Sequence, residues 1–159
     1  MDVRSALQRQ YHAALAMLKQ PIDRCPEELW TDPNYPTHFW NVAYHTLFYT
    51  HFYLQPDQAA FRRWEKHRDH FQDTSSPRIG EPYTQAEVLE YWALCDSMID
   101  AGVDRLDLGA AESGFPWYQM PKLDHQLVNI RHVQHHAAEL ADRLRSAAAI
   151  ECDWVGGGA

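Results

Sequence analysis

Between Phe39 and Leu54 the chain is apolar or aromatic on nearly every side of a helix. Phe39, Trp40, Val42, Tyr44, Leu47, Phe48, Phe52 and Tyr53 leave no clear polar face. A helix of that kind belongs either in a membrane or in the middle of other helices. The stretch carries Asn41, His45 and His51 and is shorter than the roughly 20 residues that cross a bilayer. It is therefore read as a central helix, capped by Thr37 and ending before Pro56. The rest of the chain must supply the helices that cover it.

Three further segments have the required period. From Val3 to Gln20, Leu7, Tyr11, Ala14 and Leu18 recur at spacings of 4, 3 and 4, and Pro21 is expected to stop the run. Thr84-Gln-Ala-Glu87 is a capping box, and behind it Val88, Trp92, Cys95, Ile99, Val103 and Leu106 form one stripe. A last helix is predicted from about Asp124 to Ile150, with Ile130, Val133, Ala137, Leu140, Leu144 and Ala147 on its apolar side.

Between the long segments, Pro26 is expected to open a single turn over 27–30. Residues 57–73, with Phe61, Trp64 and Phe71 at helical spacing, read as a short surface helix of mixed charge. Ser75, Ser76, Pro77, Gly80 and Pro82 mark a loop, and Gly109–Pro121 marks another. No run alternates like a strand, and no internal repeat is visible. Connections of roughly 16 to 30 residues are too long for tight hairpins, which predicts an all-α four-helix bundle with long crossover connections. The expected organisation is one domain over 1–155 and a flexible tail over 156–159.

Charge narrows the partners. Lys and Arg number 14 against 22 Asp and Glu, a net charge of −8. Protonating all ten histidines would bring the total only to +2. Nucleic acid is therefore not an expected partner, and neither is a membrane. Cys25, Cys95 and Cys152 are odd in number, widely spaced and without a CxxC pair, which fits reduced thiols in a cytoplasmic protein. Six Phe, six Trp and eight Tyr are more rings than a core of this size readily encloses, so a homodimer is expected.

Chemistry, if there is any, lies in the histidines. His132 and His136 stand at i and i+4 on the last helix, so two imidazoles share one face and can converge on one cation. The same stripe, Asn129, His132, His136, Glu139 and Arg143, could equally be the solvent border of an amphipathic helix. His45 lies in the central helix, where a buried imidazole needs partners for both nitrogens. A metal with a carbonyl or carboxylate would serve, and so would ordinary hydrogen bonds to a tyrosine or the backbone. His38, His51, His67, His70, His125 and His135 are not expected ligands, and Cys95 reads as core.

Two stretches, Phe39-Trp-Asn-Val-Ala-Tyr-His45-Thr-Leu-Phe-Tyr and Asn129-Ile-Arg-His132-Val-Gln-His135-His136-Ala-Ala-Glu139-Leu, together with helix order and length, resemble the DinB/YfiT-like superfamily. That resemblance implies a three-His site for one divalent metal at His45, His132 and His136. It departs from the pattern after the last histidine, where many members have Arg-Gly-Gln and this chain has Ala137-Ala138-Glu139. Nitrogen-only ligation suits Zn, Ni, Fe(II) or Cu. Three protein ligands leave a coordination position open, the catalytic arrangement. The resemblance further implies either a hydrolase or an S-transferase using a low-molecular-weight thiol. Two readings stay open: a metalloenzyme that activates water or a thiol for a small-molecule substrate, and a non-catalytic metal- or ligand-binding bundle. Glu139 is the obvious fourth ligand, a proton acceptor, an orienting partner of His136, or simply the i+4 partner of Arg143.

Overall fold

The computed structural model describes residues 2–75 and 80–157. Ser76 and Pro77 of the expected loop and the last two residues of the expected tail lie outside them. Among the described residues there are helices and no strands, as the apolar periodicity requires. The elements are α1 (Val3–Arg24), α2 (Glu27–Trp30), α3 (Phe39–Tyr53), α4 (Gln85–Ser97), α5 (Ile99–Arg105) and α6 (Lys122–Ala148), with a 3-10 turn at Gln58–Ala60. Helix α1 packs on α6 and α4, and α3 packs on the same two from the other side. These helices share one core that includes Tyr11, Leu15, Trp40, Tyr44, Leu47, Tyr91, Val133 and Leu140.

The capping box forms as predicted: Thr84 accepts from the Glu87 backbone, and Glu87 reaches back to the Thr84 N–H at 2.8 Å. The stripe that follows is interrupted once. At Met98 the backbone (φ −88°, ψ −13°) hands α4 over to α5, and Ile99, Val103 and Leu106 remain buried. Gly102 is where α5 meets the end of α3. A Cβ there would lie 2.5 Å from Leu54 Cδ2, so only glycine permits that approach.

Four expectations are corrected. Pro21 does not stop α1: it is buried inside the last turn, and the helix runs to Arg24. Tertiary contacts hold that turn, because Gln85 Nε2 donates to the Ile22 carbonyl at 2.6 Å and Gln20 exchanges hydrogen bonds with Asp153. Thr37 does not cap α3; its hydroxyl donates to the Thr74 carbonyl, and His38 is the residue before the helix.

The 57–73 segment is not a surface helix. Beyond the 3-10 turn it is a chain of turns pinned by aromatic anchors: Trp64 stacks on Tyr91 at 4.6 Å and Phe71 meets Trp40 at 5.3 Å. Burying single rings in pockets of the core holds it better than a mixed-charge helix face would. His67 goes with it, its Nδ1 2.7 Å from the Tyr44 hydroxyl, rather than out into solvent.

The fourth correction concerns Asn129, which lies in the core and not at a solvent border. On the first turns of α6, Lys122, His125, Gln126 and Asn129 are all buried. Three of them donate to backbone carbonyls in the last turn of α3 and just beyond it, where helical partners run out. Asn129 donates to Thr50, Gln126 to Tyr53, and the Lys122 ammonium to Gln55 and Pro56. Lys122 also donates to the Ser113 carbonyl, tying in the 109–121 connection. The gap between α3 and α6 is thereby set by backbone-directed hydrogen bonds, one turn from the histidines.

Candidate metal centre

His45 projects from the middle of α3 and His132 and His136 from successive turns of α6. The structure brings all three together, with one ring nitrogen of each within 4.8 Å of the others. His45 Nε2 and His132 Nε2 are 3.1 Å apart. Two nitrogens bound at 2.0–2.1 Å to one tetrahedral ion would be separated by about 3.3 Å, so the pair already has the spacing of ligands.

Two of the rings are oriented from behind. His45 Nδ1 lies 2.7 Å from the Gln72 carbonyl oxygen. A carbonyl only accepts, so Nδ1 carries the proton and Nε2 presents its lone pair to the cluster. His136 Nδ1 donates to Glu139 Oε2 at 2.8 Å, which fixes the same tautomer. Glu139 in turn accepts from Arg143, whose other N–H donates to the Thr37 carbonyl at 2.7 Å and whose guanidinium lies 4.8 Å from the Tyr35 ring. The hydrogen bond from His136, helped by Arg143, holds the Glu139 carboxyl below the usual range. Both Glu139 oxygens are engaged, which favours an orienting role over that of a fourth ligand. His132 has no such support: its Nδ1 is buried without a partner among the described residues.

Burial keeps His45 and His132 neutral. It lowers His45 to about 4, and lowers His132 to about 3 with the neighbouring His45 and His136 adding to the effect. Neutral imidazoles are the form that ligates.

A second group, His135, His136 and Glu139, also brings its ligand atoms within 4.8 Å but shares His136 with the first. The cysteines are not competitors. Cys25 is pushed up to about 12 by burial, Cys95 is raised further, and all three thiols are free. Cys25 and Cys95, buried in this way, are inert.

Beside the triad opens a cavity of about 530 Å³. His45 and His132 form one end, and rings from α3 and from the 109–121 connection form the walls. Sequence reasoning picked out the three histidines but not Gln72, whose contribution is a backbone carbonyl and leaves no mark in residue type. It also missed Trp117 and Tyr118, which lie in the connection and have no helical period.

Set against protein-family models, characterised proteins and solved structures, the chain matches none. No helix among the described residues is long and apolar enough to cross a membrane.

Proposed function

We propose that the protein is a cytoplasmic four-helix bundle of DinB/YfiT-like kind that binds one divalent transition metal (Zn, Ni or Fe) through His45, His132 and His136. In this reading it uses the site to activate water or a low-molecular-weight thiol, as a hydrolase or an S-transferase. The observation that carries it is the convergence of three imidazoles from two helices, two of them with Nδ1 engaged from behind so that Nε2 turns to the centre. The bundle part rests on the closed ring of contacts α1–α6–α3–α4.

A divalent ion held by His45, His132 and His136 would keep its full charge and would supply a lowered pKa to a water or thiol at that site. The chain's own residues do the rest. Gln72 and Glu139 hold the rings of His45 and His136, and Arg143 keeps Glu139 ionised and in place. The aromatic cavity gives a small molecule a place beside His45 and His132.

The test has two parts. Titration with Zn²⁺ followed by elemental analysis should find about one ion per chain in the parent. It should find none in the His132→Ala/His136→Ala variant, and full retention there overturns the assignment. Metal-loaded protein should then turn over an ester, amide or thiol-transfer substrate faster than the His132→Ala variant. Equal rates would leave the non-catalytic binding bundle as the reading.

A further inference from the structure

The cavity beside the histidines has an unusual wall. Phe48, Tyr49, Phe52, Tyr53, Trp117 and Tyr118 contribute six aromatic rings, and among the described residues no Lys, Arg, Asp or Glu lines it. The rings are mutually braced. Phe52 and Trp117 stack at 6.0 Å and 29°, Tyr49 lies 5.4 Å from Tyr53, and Tyr53 meets Tyr118 edge-on at 5.5 Å. Trp117 is half exposed at the rim, with its Nε1 3.3 Å from the Tyr53 hydroxyl. A braced set of ring faces around about 530 Å³ is the size and character of a small-molecule site.

At the histidine end a polar feature lacks its complement. Gln72, whose carbonyl orients His45, also lines the cavity, and its side-chain Oε1 is shielded from water without a partner among the described residues. A buried acceptor left unpaired is unfavourable unless something donates to it. A turn of the Gln72 side chain would bring this acceptor to the cleft wall, where it can receive an O–H or N–H from whatever fills the cleft.

We infer that this cleft binds a neutral, flat aromatic molecule of one or two rings. Its ring lies against the Tyr49, Phe52 and Trp117 rings, and its single hydroxyl- or amine-type group points to Gln72 and the histidines. Among the described residues the walls hold no cation to pair with an anionic ligand. A cationic ligand would face the metal's own charge, a point that rests on the proposed metal site. Offset and edge-on contacts between rings then supply both affinity and selection for a planar shape.

The experiment is calorimetric titration of the metal-free protein with 2-naphthol, 2-methoxynaphthalene and 2-naphthoate at pH 7. Expected are saturable 1:1 binding of 2-naphthol, a several-fold preference for it over the methyl ether, and no measurable binding of the carboxylate. Trp117→Ala should weaken 2-naphthol at least tenfold. Gln72→Leu, which leaves the backbone carbonyl on His45, should erase the preference over the ether while both still bind. Zn²⁺ stoichiometry should stay at one per chain in both variants, which separates the two proposals. Metal binding without naphthol binding overturns the cleft and spares the metal site; naphthol binding without metal does the reverse. Equal binding of the carboxylate, or an unchanged Trp117→Ala variant, also overturns the inference.

Discussion

His136 and His45 are steered by different kinds of partner, and only one of them can be removed by mutation. The Gln72 carbonyl persists in any side-chain variant, whereas Glu139 is a carboxylate that Glu139→Gln replaces by a weaker, uncharged acceptor. That change is expected to lower Zn²⁺ affinity by about 10- to 100-fold with the helical circular dichroism unchanged, as read by competition with a chelating dye. Two histidines outside the triad carry a different prediction. His51 is buried with its Nδ1 3.1 Å from the Tyr91 hydroxyl, and His125 is buried among Tyr53, Phe115 and Tyr118 with neither nitrogen partnered among the described residues. Burial lowers each to about 4. Because the folded state disfavours the proton, stability is full above the ordinary value near 6.5. It falls by about 1.4 kcal/mol per pH unit per histidine down to about pH 4, and levels off below that. Urea unfolding of metal-free protein at pH 7.5 and pH 5.0 should show this loss. His125→Phe, which keeps a ring in an aromatic niche, should lose measurably less between the two pH values.

Local rules govern the helices where the deciding atoms are close in sequence. Thr84→Ala removes the acceptor for the Glu87 N–H and should cost about 1 kcal/mol in denaturant unfolding, with the slope unchanged. Gly102→Ala is set by a partner far along the chain. Its Cβ would have to displace Leu54, at a cost of about 1–3 kcal/mol, which a second substitution, Leu54→Val, should partly relieve. The same contrast explains what could be read from residues alone. The capping box, the Leu7–Leu18 stripe and the i, i+4 pair of His132 and His136 are local patterns and were legible. The continuation of α1 through Pro21 depends on Gln85 and Asp153, which lie on other elements. The turns over 57–73 depend on where Trp64 and Phe71 find room. Likewise Asn129 and Lys122 look like surface residues until the carbonyls ending α3 are placed opposite them. At the site, His45 was legible only as a polar residue in an apolar helix, and nothing local tied it to α6.

Taken whole, the molecule encloses its rings more fully than their number suggests: of the aromatic residues, all but Trp117 and Trp154 are buried or partly so. The ring-count argument for a homodimer therefore loses its premise. A homodimer stays a proposal, and what supports it now is the exposed Trp154 indole alone, at 77% exposure. Light scattering at micromolar concentration should give twice the 18.5 kDa chain mass, and an 18.5 kDa particle would refute it. The seat of Lys122 has a further consequence. The chain has only three lysines, Lys19, Lys66 and Lys122, and the last is an ammonium enclosed by carbonyls from the end of α3 and from Ser113. Its amine can meet a reagent only when the 109–121 connection lifts away. Brief acylation followed by peptide mass analysis should modify Lys66 within the first time points and Lys122 far more slowly. The lag of that one amine is a built-in clock for how often the Trp117-bearing wall comes off the molecule.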